Sequence, residues 1–304
     1  MQVLLIGGTG LLGGAIATEL VARGHSVRAL VRTGKHIGHL RTLGVALEAG
    51  DMRDARALRR ALRNAPAVIT TAQGNPLSRA TPMRQIDGAA TQQLVDLARQ
   101  AGVPRFVLVS ALKADVGAAF VPQLAYKFAA EQVLQASGVP YTLLRPSSFQ
   151  ETFDDSFAPF KRIIERFGIG MTMGSGRGQH SFVAIHDVAR AAVLALDHPA
   201  ALNQIVPIGG PDDLSYRDAY QRIAAITGRR ITIVPVPRPA LTLGGVLGKP
   251  VLPELGDFFA FFRFFDRFGY TCTTPDWLVA ALGSRRSFDT AVREMYVSAA
   301  LASQ

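Results

Sequence analysis

The first thirty-two residues constrain the fold more than any other part of the chain. An apolar run at Val3–Ile6 leads into a glycine-rich turn, a helical run to Gly24 and a second apolar segment that ends at Arg32. This succession predicts a strand, a tight turn, a helix and a second strand. In such a unit the turn and the first amides of the helix point at one place, so a pyrophosphate binds there. The opening residues therefore predict a parallel α/β fold with a dinucleotide site.

Three glycines in the turn have separate structural roles. Gly7 permits a backbone conformation that a side chain would obstruct, Gly10 lets the backbone approach the phosphates, and Gly13 lets the helix pack closely on the strand. Their spacing follows an apolar strand and opens a predicted helix at Ala15–Arg23, which is the context that a dinucleotide-binding turn requires. The alternative is an ordinary strand-to-helix turn. The other turn residues assigned to the cofactor are Thr9, Leu11 and Leu12.

The end of the second predicted strand indicates which dinucleotide binds. A site for NAD(H) usually carries an Asp or Glu there, about 20 residues past the glycines, to hold the ribose 2′-hydroxyl. This chain has Arg32 instead, and no acidic residue lies between Glu19 and Glu48. A guanidinium pairs well with a 2′-phosphate, and Thr33 and Lys35 could add a hydroxyl and a second positive charge. We therefore expect NADP(H); the alternative is a solvated surface arginine.

The composition is typical of globular proteins, and the net charge indicates which kinds of ligand the chain could bind. Of its 304 residues, 48% are hydrophobic and 18% are charged, which provides enough apolar content for a large core. The formal net charge is +10, but the arginines are dispersed, and neither a Lys/Arg run nor a nucleic-acid-binding motif is visible. We expect an anionic ligand or surface and no nucleic acid.

Cysteine, histidine and hydropathy patterns predict the compartment. Cys272 is the only cysteine, so no internal disulfide forms and a reducing, cytoplasmic location is expected. The first strand starts at residue 2, which argues against a signal peptide, and no apolar stretch of about 18 residues predicts a membrane span. Peripheral contact with a membrane stays open. The six histidines lack metal-ligand spacing, so no metal is predicted.

Strands and helices alternate through the first half of the chain, which is typical of a doubly wound parallel sheet. We predict an NAD(P)-binding Rossmann core over 1–148 and a smaller, mostly helical C-terminal substrate lobe over 149–304, with residues of about 183–210 returning to the core sheet. The predicted strands after the second are 45–49, 67–71, 105–110 and 141–145, and the predicted helices after the first are 54–64, 89–100 and 124–136.

After Pro146 the alternation breaks, and Gly and Pro make the prediction coarser. An aromatic-rich helix is predicted over 149–167 and a glycine-rich loop over 168–178. A strand at Gln204–Ile208 could return to the sheet as its seventh member. The remaining predicted elements are a strand over 181–185, helices over 186–196 and 216–227, and a strand over 230–236.

Taken in order, these motifs resemble the NmrA-like, or atypical, short-chain dehydrogenase/reductase family, whose members have an NAD(P)-binding Rossmann fold. The resemblance opens on Ile-Gly-Gly-Thr-Gly-Leu-Leu-Gly at 6–13 and covers most of the chain. The other matching segments are 50–51, 105–110, 127–131, 137–146, 185–189, 208–211 and 214–216.

The resemblance implies a set of cofactor contacts. It implies that the Asp51 carboxylate accepts a hydrogen bond from the adenine amino group while Met52 packs on the ring. The alternative for Asp51 is an N-cap of the following helix, a role that suits Asp. The residues implied to line the ribose and diphosphate are Thr71, Ala72 and Gln73. Those implied to lie beside the nicotinamide are Pro146, Ser147, Ser148 and Phe149, of which Phe149 could instead be a core residue.

The candidate catalytic residues depart from the usual pattern. Short-chain reductases commonly pair a Tyr with a Lys four residues later, one helical turn away. Lys127 is present, but Gln123 occupies the tyrosine position, and Tyr126 points about 100° around the helix from the lysine. Glutamine supplies no useful proton, although Lys127 could still hold the nicotinamide ribose or act as an acid. Reduction of a quinone or a conjugated alkene tolerates this, because water can supply the proton.

Ser110 is the second candidate catalytic residue. It ends a predicted strand at the edge where ligands bind in such sheets, so its hydroxyl is expected to hydrogen-bond a substrate oxygen. The alternative is a serine that satisfies the local backbone.

The segment Asp257–Phe268 is unusually rich in phenylalanine. On a helix one stripe would contain Phe258, Phe261, Phe262, Phe265 and Phe268, with Phe259 and Phe264 widening the apolar surface. A helix that packs this stripe on the core is one interpretation. The others are a lid over a flat substrate, a protein interface and contact with a membrane surface.

Three functions are consistent with these features. The first is an NADP(H)-dependent oxidoreductase, an atypical short-chain reductase acting on a hydrophobic planar substrate such as a quinone, an enone or a tetrapyrrole-like ring. The second is a non-catalytic NADP(H)-binding redox sensor, or an accessory or assembly subunit of a larger redox complex. The third is an enzyme that acts at a membrane surface.

Overall fold

The computed structural model describes residues 1–32, 37–156 and 159–298. These residues form two compact units. The first contains Met1–Arg145 and Val188–Val206, and the second contains Pro146–Asp187 and the described residues from Pro207 onward. Thr33 and Lys35, which were predicted to support Arg32, lie outside the described residues.

A seven-stranded sheet forms the Rossmann fold that the alternation of elements predicts. Its strands are β1 (Gln2–Ile6), β2 (Ser26–Val31), β3 (Ala46–Ala49), β4 (Val68–Thr70), β5 (Phe106–Val109), β6 (Tyr141–Pro146) and β9 (Gln204–Ile208). Their order is β3-β2-β1-β4-β5-β6-β9, and each pair of neighbours from β3 to β6 is parallel. The order reverses beside β1, the switch point at which open α/β sheets bind ligands. The predicted return of Gln204–Ile208 to the sheet is confirmed.

The central strands β1 and β5 are buried except for Gln2 at the start of β1. Val3–Ile6 in β1 and Phe106–Val109 in β5 are continuous apolar runs with every residue buried. This pattern is typical of parallel strands that helices cover on both faces. The helices that accompany the first unit are α1 (Leu11–Ala22), α2 (Gly38–Thr42), α3 (Ala55–Ala61), α4 (Thr91–Gln100), α5 (Ala114–Gly117), α6 (Pro122–Ala136) and α8 (Ile185–Leu194). A π-helical turn at Arg84–Ala90 precedes α4.

Two segments that are distant in sequence complete the first unit. The buried Arg105 guanidinium donates to the carbonyl of Ala195, with its Nε at 3.0 Å. The buried Thr142 hydroxyl donates to the carbonyl of Ala201 at 2.7 Å. Residues 188–206 therefore supply hydrogen-bond acceptors for the Arg105 and Thr142 side chains, which are buried in the first unit.

The second unit contains two small sheets as well as helices. Strand β7 (Ile169–Met173) pairs in parallel with β11 (Thr232–Val236), and β8 (Gln179–Ser181) pairs antiparallel with β10 (Asp213–Ser215). The helices of this unit are α7 (Phe160–Phe167), α9 (Tyr216–Thr227), α10 (Arg238–Gly248), α11 (Leu255–Phe268), α12 (Asp276–Leu282) and α13 (Phe288–Val292). The prediction of a helix over 216–227 is confirmed, and a capping box between Ser215 and Asp218 fixes its start.

The glycine-rich stretch 168–178 is not the continuous loop that was predicted, because β7 occupies its first half. Gly170 lies within this strand, and a Cβ there would stand 2.8 Å from the ring of Tyr220. The glycine therefore lets an aromatic ring pack across the strand, which is one of the uses of glycine inside strands.

The predicted helix over 149–167 is also wrong as one element. A 3₁₀ turn at Gln150–Phe153 is followed by extended backbone at Asp154, and α7 begins only after Pro159. Proline favours the start of a helix because it has no N–H for the helix interior. Residues 157–158 lie outside the described part of the chain.

The predicted strand over 181–185 is shorter and earlier in the structure, because β8 ends at Ser181 and α8 begins at Ile185. The Gln150 side chain donates to the Phe182 carbonyl at 3.2 Å and so occupies an acceptor that a continued strand would use. Val183 instead forms an isolated bridge with Phe149.

Helices α10 and α11 pack closely against each other. A Cβ on Gly245 would stand 2.9 Å from the Cα of Gly256, so the two glycines allow the backbones to approach. The predicted phenylalanine helix is present as α11, in which Phe264 and Phe265 are buried, whereas Phe268 is 38% exposed. No helix of the described residues has the length and apolarity needed to span a membrane.

Candidate functional site

The glycine turn between β1 and α1 is closed by the end of β4. Gly7 has a φ of +92°, which favours glycine, and a Cβ there would stand 2.6 Å from the Thr71 Oγ1. A Cβ on Gly13 would stand 2.1 Å from the Gly7 carbonyl oxygen. At both positions a side chain would collide with neighbouring atoms of the protein, so glycine is required there even without a ligand.

Gly10 is different, because the protein does not force it to be glycine. A Cβ there would meet only the Gly7 oxygen, at 3.4 Å, and the residue is exposed together with Thr9 and Leu11. Gly10 is the N-cap of α1 and has no side-chain cap, so the first amides of the helix stay available to a ligand. This open, side-chain-free surface at a helix N-terminus fits a diphosphate. Leu12 follows in the first turn and is half-buried.

Arg32 and Asp51 form the adenosine end of the candidate site. In the described part of the chain, no hydrogen bond or salt bridge holds the half-buried Arg32 side chain. The Asp51 carboxylate is already engaged, since Arg53 donates to it from Nε at 3.0 Å and from Nη2 at 2.7 Å. These hydrogen bonds, with further help from the positive charge of Arg32, lower the pKa of Asp51.

The alternative of Asp51 as a helix cap is wrong. The N-cap of α3 is Asp54, whose carboxylate accepts from the amide of Arg56 at 2.8 Å. Met52 is buried in the core cluster with Leu4, Ile6 and Leu30. Asp51 therefore does not cap α3, and its carboxylate is held by Arg53 instead.

The residues after β4 lie against the glycine turn as a parallel sheet requires. The Thr71 amide donates to the Ile6 carbonyl at 2.9 Å, which ties the end of β4 to the end of β1. Thr71 and Ala72 are half-buried and Gln73 is exposed. The structure thus brings together the glycine turn and 71–73, as the sequence predicts for one cofactor edge.

Lys127 is held by a residue that the sequence analysis missed. Its Nζ lies 2.7 Å from the Asp87 Oδ1, and the two side chains are 8% and 0% exposed. The other Asp87 oxygen accepts from the Gly74 amide at 2.8 Å. Asp87 therefore links the helix that carries Lys127 to the loop that follows β4. The residue lies in the π-helical turn, where the sequence offers no local signal for this contact.

Gln123 and Tyr126 lie on the same helix as Lys127, and they are the two residues weighed for the tyrosine role of a short-chain reductase. Gln123 is buried one turn before Lys127 on α6. Tyr126 packs beside Gly88, where a Cβ on the glycine would stand 3.7 Å from the tyrosine Cβ. Its position agrees with the 100° offset from Lys127 expected on a helix.

Ser110 follows β5 at the same edge of the sheet as the glycine turn. Its side chain is buried, and its Oγ finds no hydrogen-bond partner among the described residues. The alternative of a serine that satisfies the local backbone is therefore wrong. A buried hydroxyl without a partner is costly and calls for a functional reason.

The four residues predicted to lie beside the nicotinamide belong to the second unit, where two of them have clear partners. The Ser147 hydroxyl donates to the Tyr270 carbonyl at 2.5 Å, and the Ser148 hydroxyl lies 2.8 Å from the His180 Nδ1. Phe149 is half-buried, and Pro146 is buried as the last residue of β6. These contacts fix the loop within its own unit.

A cavity of about 50 Å³ lies inside the second unit. Its aromatic lining consists of Phe153, Phe160, Tyr216, Tyr220, Phe262 and Phe265, with Met171, Met173 and His180 among the other lining residues. A volume this small holds a few water molecules. A ring-sized molecule therefore enters only if side chains move, and flexible methionines make such movement easy.

Aromatic and ionic contacts arrange the polar groups of the cavity. The His180 ring stacks on Phe182 at 5.2 Å and meets Tyr216 edge-on at 5.0 Å. Burial raises the pKa of Tyr216, which keeps its hydroxyl protonated. Burial alone would also raise the pKa of Asp266, but hydrogen bonds from Ser175 and Arg238 lower it.

Comparison with known proteins shows the family to which the chain belongs. A family model described as NAD(P)H-binding matches residues 7–199, which is more than half of the chain. The chain belongs to this NAD(P)H-binding family. The resemblance drawn from the sequence motifs is thereby confirmed, as is a nicotinamide dinucleotide as cofactor.

Three similar proteins illustrate the range within and around the NAD(P)H-binding family. A photosystem II assembly factor, Ycf39, from Trieres chinensis is 29% identical over 69% of this chain, which covers 64% of that protein. An NAD(P)H azoreductase from Xenophilus azovorans is 28% identical over 77% of each chain. The solved structure of an NADPH-dependent quinone oxidoreductase from Escherichia coli in complex with NADPH shares the fold, with a TM-score of 0.77 and 18% identity over 97% of this chain and 99% of that one.

Proposed function

We propose that the chain is an NADP(H)-dependent oxidoreductase that reduces a hydrophobic planar molecule such as a quinone, an enone or a tetrapyrrole-like ring. The observation that carries this proposal is the buried Ser110 hydroxyl, for which the described residues offer no hydrogen-bond partner, at the sheet edge that also holds the glycine turn. A hydroxyl at this edge can donate a hydrogen bond to a substrate oxygen. The azoreductase and the quinone oxidoreductase named above support a reductase by their own activities.

The residues present fit the dinucleotide. The side-chain-free surface at Gly10 and the uncapped start of α1 suit the diphosphate. Thr71, Ala72 and Gln73 would line the ribose, and the ring of the adenine would lie by Asp51 and Met52. Arg32 would pair with the 2′-phosphate, which makes NADP(H) the preferred form.

The bound nicotinamide would supply the hydride for the reduction. Ser110 would donate a hydrogen bond to the substrate oxygen and so stabilise the negative charge that develops there. Lys127, held by Asp87, would bind the nicotinamide ribose and keep a positive charge near the reaction. Because Gln123 offers no proton, water would protonate the product. The resemblance implies that Pro146–Phe149 would lie beside the nicotinamide. Within the second unit, the aromatic cavity would admit a flat hydrophobic molecule once its side chains move.

Substrate-dependent oxidation of NADPH tests this proposal. We expect turnover with members of a panel of quinones, conjugated enones and azo dyes, and slower turnover with NADH. A panel without any turnover, for protein that binds NADPH, would overturn the assignment of an enzyme. Protein that binds neither dinucleotide would overturn the cofactor assignment as well.

A second candidate function is a non-catalytic accessory or assembly protein that senses the NADPH/NADP⁺ ratio. It is favoured by Gln123 in the place of the usual tyrosine and by the similarity to an assembly factor. Tight NADPH binding without turnover, together with a stable protein partner, would support this function over the first.

A further inference from the structure

Helix α10 presents its apolar side chains outward. Leu243, Val246 and Leu247 are 59%, 65% and 68% exposed, and Val251 in the turn after the helix is 67% exposed. Leu243, Val246 and Leu247 follow the i, i+3, i+4 spacing of a single helical face, and Val251 continues the apolar surface into the turn. In most helices of globular proteins such a face points to the core.

The inner face of α10 is narrow and is already used. Leu241 and Gly245 are its buried residues, and Gly245 lies against Gly256 of α11. The contact between Gly245 and Gly256 packs α10 on α11, and the exposed leucines and valines take no part in this packing. The exposed face therefore does not result from a poorly packed helix, and it needs another explanation.

The charged residues of α10 and of the turn after it are basic. Arg238 begins α10 and Lys249 follows its end, whereas the sequence from Pro237 to Pro253 contains no acidic residue. Arg238 is paired with Asp266, and Lys249 is near Asp257 of α11, so the attraction to an anionic surface comes from the net charge of the chain. The chain as a whole has a formal net charge of +10, which attracts it to anionic surfaces.

We propose that α10 and the turn after it, residues 238–251, dock on an anionic lipid surface. An amphipathic helix of this kind lies in the plane of the interface, with its apolar face among the acyl chains and its cations at the headgroups. A protein partner is less well matched, because protein interfaces are centred on aromatic and arginine side chains. The exposed face of α10 offers only leucine and valine.

This assignment differs from the one that the sequence suggested for Phe258–Phe268. Apart from Phe268, the rings of α11 are buried or half-buried, and Phe262 and Phe265 line the cavity of the second unit. The lipid-facing role therefore belongs to α10, and α11 connects it to the cavity. The inference does not depend on the proposed reductase activity.

Vesicle sedimentation tests the proposal. The full chain is mixed at physiological salt with vesicles of phosphatidylcholine, with or without phosphatidylglycerol. We expect binding to the phosphatidylglycerol vesicles, and the double variant Val246→Ser/Leu247→Ser should bind at least about tenfold more weakly. The matched control is Leu77→Ser/Val116→Ser, which removes two residues that are 52% and 57% exposed in the first unit and should bind as wild type does.

Three results would overturn the proposal. The first is wild-type protein that does not sediment with phosphatidylglycerol vesicles, and the second is equal binding by the α10 double variant. The third is a dimer in solution that the α10 variant converts to a monomer, since a second copy would then cover the face. NADPH affinity, measured on every variant, should equal that of wild type, which shows that the fold is intact and keeps this test separate from turnover.

Discussion

Lys127 and Asp87 form an ion pair that is almost completely removed from water, with 2.7 Å between Nζ and Oδ1. Removal of one partner from a buried pair leaves an uncompensated charge and typically costs about 3–5 kcal/mol. We therefore expect Asp87→Asn to lower the free energy of unfolding by an amount of this order, as measured by urea denaturation.

The control for this prediction is an exposed ion pair. Arg60 and Glu48 lie 3.8 Å apart at the surface, and Glu48→Gln should change the unfolding free energy by less than about 1 kcal/mol. If Asp87→Asn is as mild as Glu48→Gln, the buried pair contributes little and its proposed role in holding Lys127 is wrong.

Arg32 should decide between NADPH and NADH. Replacement by Glu removes the partner of the 2′-phosphate and introduces repulsion, so the ratio of NADPH to NADH affinity should fall at least tenfold, by about 1.4 kcal/mol or more. Calorimetric titration with both dinucleotides measures this ratio. Arg99→Glu, an equal change of charge at an exposed position of α4, should leave the ratio unaltered. An unaltered ratio in Arg32→Glu would contradict the assignment.

Ser110→Ala should separate catalysis from stability. Loss of a donor to a developing oxyanion commonly lowers kcat by about 10²-fold or more, and the NADPH affinity should stay the same. Because the hydroxyl has no partner in the described part of the chain, its removal should not lower the unfolding free energy. A serine with a structural role would show the reverse, namely reduced stability with kcat retained.

The three turn glycines should respond differently to alanine. A Cβ at Gly7 or Gly13 would stand 2.6 Å or 2.1 Å from its nearest neighbour, so both variants should lower the thermal unfolding temperature without any ligand. Gly10→Ala meets nothing closer than 3.4 Å and should keep the unfolding temperature while it weakens NADPH binding. Equal destabilisation by all three variants would show that Gly10 is also a structural glycine.

Acid should destabilise the second unit, because it protonates the Asp266 carboxylate. Its carboxylate accepts from the Ser175 hydroxyl at 2.5 Å and from the Arg238 Nη2 at 2.7 Å, and these hydrogen bonds hold its pKa below the usual value. A lowered folded-state pKa contributes stability that is present above the unfolded value, near about 3.9, and is lost as the pH falls through the folded value. Asp266→Asn should remove part of this acid dependence and cost about 1–3 kcal/mol at neutral pH. An unchanged pH profile of unfolding in this variant would contradict the assignment.

The first unit could be predicted well because its signals are local. The apolar runs of β1 and β5 and the spacing of the glycines depend on a few neighbouring residues each, and the strand at Gln204–Ile208 has its predicted bounds. The partner of Lys127 could not be predicted in this way. Asp87 lies in a turn without strand or helix periodicity, and only the packing of that turn on α6 brings the two side chains together.

The second unit was predicted less well for two physical reasons. The sequence suggests that Gly170 is a loop residue, but it lies in a strand. This strand position is glycine because the Tyr220 ring occupies the space that a side chain would need. The cavity joins residues from Phe153 to Phe265, which no local pattern connects. Likewise, the apolar face of α10 has the periodicity of a core helix, and only the structure shows that it faces outward.

The contacts that Arg105 and Thr142 make with Ala195 and Ala201 have a consequence for biosynthesis. A nascent chain that has emerged only as far as residue 148 holds six strands of the sheet, yet its edge lacks β9 and two buried donors lack their acceptors. The intervening forty or so residues of the other unit must be translated before the sheet can close. We therefore expect cotranslational folding of the amino-terminal half to wait until about residue 206 has left the ribosome, and the exposed flank of β6 to be the point at which chaperones engage the unfinished chain.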